Sequence, residues 1–379
     1  PIPDGNKTSE LLRYGMYTWA DMFTPRQLLA LVSFVGALRE LESEIMDAMD
    51  ADRARALLTY LAFGFDKAAD RNSVMTRWIP QRGALANTFD RHDFAFKWSF
   101  GEFDASRNMV PWVVDQMTDS YGGLVKLAGS PQSLFGSQGR AGGVRVIRGL
   151  AQALTPLVDG SVDHICVDPP YYDNVMYAEC SDFFYVWQKR TIGHLYPEFF
   201  TDELTNKDDE AVANAARFAD LGRKKKHLAL RDYERKMTAA FQEMHRVLRG
   251  DGVLTVMFTH KKVEAWDTLA TSLMDAGFAI HASWPVHTEF LHSLHISKKN
   301  SAESTIFLTC RKQAAGGGDV WWDDLKNRVR VTARETAARL EKMGIRGVDL
   351  YIATFGPTLA ILSENWPVLT SEVDEKTGK

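Results

Sequence analysis

Apolar residues at Leu28, Leu31, Val32 and Val35 recur with the 3.6-residue period of an amphipathic helix. Thr24-Pro25 just ahead of them reads as a helix start, since proline in the first turn loses a hydrogen bond the helix does not make there. The helical pattern covers 24–70, with a second helix beginning near Asp52. Residues 71–122 lose the period. They are rich in aromatics (Trp78, Phe89, Phe94, Phe96, Trp98, Phe100, Phe103, Trp112) and read as loops and short elements. Residues 129–143 read as a surface loop. Strands are then predicted over 144–147, 161–167, 253–258, 279–284 and 305–310. Helices are predicted over 182–189, 232–248, 266–276 and 323–343. A polar, mobile excursion is expected over 201–227, a turn at Gly250-Asp251-Gly252 and a linker over 311–319. Alternation of strands and helices over 144–310 predicts an α/β fold with a doubly wound sheet. The expected organisation is a helical, aromatic-rich region over 1–128, an α/β core over 144–312 and a helical extension over 319–370.

Composition narrows the picture little. The 379 residues are 45% apolar and 25% charged, as in ordinary soluble proteins, and allow more than one lobe. The net charge of -4 argues against a protein that only grips phosphates, though basic clusters can still form a local nucleic-acid face. Three scattered cysteines, Cys166, Cys180 and Cys310, make neither a disulfide framework nor a zinc ribbon, so a reducing cytoplasm is expected. No apolar run reaches the length of a membrane span. His281, His287, His292 and His295 lack the spacing of ligands on one helix, and no metal site is expected. The opening Pro1-Ile2-Pro3-Asp4-Gly5 is not a signal peptide, and with no initiator methionine the chain reads as a fragment of a longer protein.

The most informative segment is Asp168-Pro169-Pro170-Tyr171-Tyr172-Asp173-Asn174-Val175, which follows the predicted strand at 161–167. Ligands of open α/β sheets bind at the carboxyl ends of strands. A carboxylate and a rigid Pro-Pro backbone without N–H groups can accept hydrogen bonds from an exocyclic amino group. A neighbouring aromatic ring can stack on a base turned out of its helix.

Asp168-Pro169-Pro170-Tyr171 resembles the catalytic motif of S-adenosylmethionine-dependent adenine-N6 DNA methyltransferases. The run from Asp168 to Trp187, DPPYYDNVMYAECSDFFYVW, resembles one subfamily of large adenine-specific DNA methylases. Tyr17 to Leu28, Asn72-Ser73 with Arg77-Trp78, and Ala282-Ser283-Trp284-Pro285 with Thr288-Glu289 resemble the same subfamily, so the likeness extends over 14–367. It implies a Rossmann-like methyltransferase sheet, S-adenosyl-L-methionine as cofactor and DNA as partner. A role in restriction-modification or phage defence follows from the same likeness. Asp168 and the Pro169 carbonyl would hold the amino group, with Pro170 fixing the turn and Tyr171 stacking on the base. The motif serves amino nitrogens generally, so cytosine N4 or an amino group of RNA or protein remains open.

The family's glycine-rich cofactor loop has no counterpart here. Gly250-Asp251-Gly252 precedes a strand and Gly316-Gly317-Gly318 reads as a linker, so the cofactor-binding residues are unknown. The expectation is that a missing N-terminal part of the same protein, or a partner subunit, supplies the loop. A non-catalytic nucleic-acid-binding fragment is the rival reading. Thr24 to Gln27 could face the cofactor as a helix N-terminus or be an ordinary helix start. Tyr172, Asp173 and Asn174 could shape the pocket or cap the next helix, and Tyr177 and Glu179 could support the loop. Arg223, Lys224, Lys225 and Lys226 are the first DNA-contact candidates, followed by Lys261, Lys262, Lys298 and Lys299. A solvated charged surface is the alternative for each.

Overall fold

The computed structural model describes residues 1–129, 145–260, 262–287, 304–313 and 320–370. The chain divides into two compact units, one formed by Pro1–Arg145 with Val175–Glu210 and the other by Val146–Asn174 with Ala211–Lys379. This division differs from the expected one, because 175–210 belongs with the first unit and the C-terminal helices belong with the sheet.

The first unit is largely helical. It holds α1 (Ser9–Arg13), α2 (Pro25–Ala48), α3 (Ala51–Asp70), the short antiparallel pair β1 (Arg77–Ile79) and β2 (Ala84–Ala86), α4 (Ala105–Gly129) and α5 (Tyr177–Thr191). Thr24 starts α2 as a capping box: its hydroxyl accepts from Gln27 N at 3.3 Å while its own N–H donates to Gln27 Oε1 at 2.8 Å. Asp50 caps α3 by accepting from Arg53 N at 3.0 Å. The core gathers Leu31, Phe34, Phe65, Phe183 and Trp187, with the Phe65 and Trp187 rings 5.1 Å apart. Helix α4 was not expected within the aromatic stretch. Pro111 lies inside it and breaks the sequence signal, while Met109 and Val113, one turn apart, bury its inner face. At Gly64 a Cβ would stand 2.5 Å from Val113 Cγ1, so α3 meets α4 only because this residue has no side chain.

The second unit is built on a four-stranded mixed sheet among the described residues. Its strands are β3 (Val162–Val167), β4 (Leu248–Phe258), β5 (Phe278–His287) and β6 (Ser304–Lys312), in the order β3-β4-β6-β5. β3 runs parallel to β4, and β6 runs antiparallel to both its neighbours. Three strands therefore share one direction and β6 alone opposes them. α6 (Lys225–Val247), α7 (Val263–Asp275), α8 (Trp322–Lys342) and α9 (Gly347–Glu364) complete the unit, with a short parallel pair β7 (Val320–Trp321) and β8 (Val368–Leu369). Leu254, Val256 and Phe258 from β4 share one core with Phe241 of α6, Leu269 of α7, Leu340 of α8 and Ile352 of α9. The C-terminal helices are thus part of the sheet's own core. Gly356 lets α9 approach β5, since a Cβ there would lie 2.0 Å from Ser283 Oγ.

Several predicted elements change. Residues 145–149 form no strand and lead only to an isolated bridge between Leu150 and Ala153. Gly250-Asp251-Gly252 is not a turn; β4 starts at Leu248 and runs through it. The excursion over 201–227 contains a 3-10 helix, Ala215–Lys224, that leads into α6. Most consequential is β3, which reads as a buried strand yet among the described residues is an edge strand with Asp163, His164 and Cys166 exposed. Lys261, the second pair of late lysines, Thr288-Glu289, two of the histidines and the triple glycine lie outside the described residues.

In the first unit Asp66 is buried, accepts from Gln188 Nε2 at 2.6 Å and leaves Oδ1 unpartnered. Burial pushes its pKa up to about 7, with the nearby Asp70 carboxylate adding to the rise. An acid whose folded pKa exceeds its unfolded value keeps its proton longer when folded. Stability contributed here is full below about pH 4 and is lost as pH rises towards 7. Asp66→Asn should remove up to roughly 4 kcal/mol of that pH dependence. Melting temperature measured across pH 4 to 8 checks this: the variant should gain on wild type as pH rises, and parallel curves would contradict it.

Candidate active site

Asp168 stands at the carboxyl end of β3, where the parallel β3–β4 pair opens into loops. Its side chain is exposed, and among the described residues neither its carboxylate nor the Pro169 carbonyl has a hydrogen-bond partner. Two consecutive prolines leave the turn with no N–H groups of its own until Tyr171. The Pro170 carbonyl is satisfied in part from outside the turn. Tyr233, on the buried face of α6, donates its hydroxyl to Pro170 O at 2.7 Å. The Tyr172 N–H also reaches Pro170 O at 2.9 Å, and stands 3.4 Å from the Tyr233 hydroxyl. Burial pushes the Tyr233 phenol well above its ordinary range, so it stays a donor at any working pH. The motif's two proline carbonyls are thereby sorted: one is tied into the scaffold and one is left for a ligand.

The loop is clamped on the side of Tyr172 as well. Tyr172 holds φ +56, an uncommon left-handed conformation for a bulky residue that surrounding contacts must enforce. Its ring meets Tyr233 edge-on at 5.6 Å and His260 at 5.8 Å, and its carbonyl accepts from Ala213 N at 3.0 Å. Lys262 pairs with Asp173 at 2.5 Å and lies over the Tyr172 ring at 5.4 Å. His260 is buried, and its Nδ1 accepts from Lys262 N at 3.1 Å, which puts the ring proton on Nε2, 3.7 Å from Asp173. Burial raises the Tyr172 pKa, and the Asp173 charge adds to it. Tyr171 is half-buried, with its ring edge-on to Phe258 at 5.3 Å. That contact anchors one edge of the ring that was expected to stack on a base.

The remaining candidates separate by place. Asn174 is exposed at the end of the loop. Glu179 is buried in the first unit and accepts from Asn6 N at 3.1 Å and Lys7 N at 2.6 Å, so it is a structural anchor, while Tyr177 is exposed. Arg223, Lys224, Lys225 and Lys226 are all exposed and make no ion pair among the described residues. Lys225 and Lys226 fill the first turn of α6, where the helix macrodipole disfavours cations and favours an anion. Lys262 differs from them, because Asp173 already compensates its charge.

Tyr233 and the Asp173–Lys262 pair were not singled out in the sequence. Tyr233 sits in register with Met237, Phe241 and Met244, so it reads as one more core residue of an amphipathic helix. The available signal is that a phenol on a core stripe needs a polar partner.

Among the described residues no group of three or more His, Cys, Asp or Glu side chains could hold a metal ion, and no helix is long and apolar enough to cross a membrane. Comparisons with protein families, curated proteins and solved structures find no match for this chain.

Tyr233→Phe removes the hydroxyl and leaves the Pro170 carbonyl with one donor fewer. It should cost about 1 kcal/mol of stability. Hydrogen exchange should accelerate at the amides of Tyr172 and Asn174, whose bonds define the loop, and not at the β4–β6 ladder. Unchanged exchange in the loop would show that the phenol does not hold it.

Proposed function

We propose that this chain carries the amine-binding half of an S-adenosylmethionine-dependent DNA methyltransferase acting on the N6 amino group of adenine. The observation that carries the reading is the pair of acceptors at the end of β3, the Asp168 carboxylate and the Pro169 carbonyl, unengaged among the described residues. An exocyclic amine has two N–H donors and one lone pair. Accepting both hydrogens holds the nitrogen in place and draws it towards tetrahedral geometry, exposing the lone pair. The cofactor, when bound, supplies a methyl group on a sulfonium. Asp168 and the Pro169 carbonyl would hold the nitrogen with its lone pair open to that methyl group. The extra proton then leaves for water, which reaches the exposed Asp168.

The sheet supports the expected partner. β3 pairs only with β4 among the described residues, so its outer edge offers a free row of N–H and C=O groups. A further strand bearing a glycine loop would add there, beside Asp168, and extend the sheet to a doubly wound, Rossmann-like one. That strand would come from another segment of the same protein or from a partner subunit. The uncompensated cations at the start of α6 support DNA as substrate, since phosphate there meets both side-chain charge and helix dipole. Restriction-modification or phage defence is the setting that fits such an enzyme.

Labelled S-adenosylmethionine and DNA, followed by digestion to nucleosides, test the reaction with the chain alone and with the glycine-loop segment added. N6-methyladenine is expected; N4-methylcytosine would move the assignment to the other amino base, and no labelled nucleoside in either form would remove it. Asp168→Ala should raise the barrier by at least about 2–3 kcal/mol, because a charged acceptor is lost at the reacting atom. Methylation within a few-fold of wild type would sink the role given to Asp168.

Replacing Arg223, Lys224, Lys225 and Lys226 with alanine should weaken DNA binding alike on all sequences. The slope of log affinity against log salt should fall by about 0.9 for each phosphate no longer neutralised. Parallel lines for wild type and variant would make the run a solvated surface.

A further inference from the structure

The first unit holds a cavity of 740 Å³ in a groove between the start of α2 and the start of α4, within the size range of small-molecule sites. Its walls are largely apolar, with Phe34, Phe103, Met109 and Val110 among them. Two amide side chains, Gln27 and Asn72, also line it. Both are almost wholly buried, at 1% and 0% exposure. Among the described residues Gln27 Nε2 and both Asn72 amide atoms, Nδ2 and Oδ1, have no hydrogen-bond partner. Leaving such groups unpaired costs about 1–3 kcal/mol each, and a core built for stability alone would place Leu or Met there.

The unpaired atoms specify a ligand. Asn72 offers a donor and an acceptor side by side, which matches a planar edge with an adjacent acceptor and donor. Gln27 Oε1 is already taken by Thr24 N at 2.8 Å, so its amide group adds donors only. At the mouth, Arg26 and Glu102 bind each other at 2.7 and 3.3 Å, which leaves no free cation for a phosphate. Phe34 and Phe103 supply the flat apolar surface that a heteroaromatic ring requires.

We propose that this groove is a binding site for a neutral purine base, with adenine read by the Asn72 amide and its ring held among Phe34, Phe103 and Met109. Its test requires no catalysis. Calorimetric titration of the intact chain with adenosine should give saturable binding, and ribose should give none. Val110→Trp, at an exposed wall position, fills the groove without touching the core and should weaken adenosine binding at least tenfold. Asn72→Asp replaces the donor with an acceptor and should also cost about tenfold, the effect of one mispaired buried hydrogen bond. Circular dichroism confirms that each variant folds. If Asn72→Asp does not fold, Val110→Trp decides the question. Competition by S-adenosylhomocysteine, or by a single-stranded oligo(dA), would identify a cofactor or a nucleic acid as the source of the base; competition by neither marks a free nucleoside. Absence of adenosine binding, or equal binding by Val110→Trp, overturns the proposal.

Discussion

The buried phenol of Tyr233 closes the turn on which the candidate chemistry depends. Pro169 and Pro170 stiffen the backbone and remove two of its donors, so the turn's own bonds come from the Tyr172 and Asn174 amides further along. A second donor to Pro170 O comes from elsewhere in the fold, and α6 provides it at 2.7 Å. The same helix buries Met237, Phe241 and Met244 against β4, so the hydroxyl's position is fixed by core packing. Local strain at Tyr172, with φ +56, is then held by Tyr233, His260 and the Asp173–Lys262 pair. Side chains distant in sequence thus fix the turn that carries Asp168 and the Pro169 carbonyl, two acceptors without a partner among the described residues.

The edge strand beneath that turn shows a conflict of another kind. Val162, Ile165 and Val167 have the composition of a buried parallel strand, and parallel sheets are normally covered on both faces. Yet β3 pairs on one side only among the described residues, and Val158, shortly ahead of it in the chain, is 73% exposed. Apolar surface and an open ladder edge together form a template for another strand. The proposed cofactor-bearing segment would satisfy both at once and would stand beside the acceptors.

Charge is arranged locally against the chain's overall acidity. The net charge is -4, but four consecutive cations are exposed where α6 begins. Helix dipole and side-chain charge repel each other there unless an anion intervenes. Lys262 shows the alternative use of a lysine, since Asp173 neutralises it and the pair braces the loop. Sequence proximity to the motif does not distinguish these roles; the presence of a carboxylate partner does.

How much was legible in the sequence follows the range of the interactions. Helices α2 and α3, the strand leading into Asp168, and the helix ending at Lys342 were all readable, because periodicity, capping and proline placement act within a few residues. The Asp-Pro-Pro-Tyr turn was readable for the same reason, as its rigidity is written in its own prolines. Helix α4 was missed because Pro111 contradicts a local rule that packing against Gly64 overrides. The strand expected at 144–147 is not formed over 145–147, because an apolar stretch alone supplies no neighbour to pair with. Tyr233's link to Pro170 spans 63 residues, and the unpaired amides of Gln27 and Asn72 meet at one cavity from separate segments. The sequence alone therefore determined the local elements and the chemistry each residue can offer. Which carbonyl stays free, which strand lies at the edge and which lysine is neutralised were decided only by tertiary structure, since each depends on a partner brought near by folding.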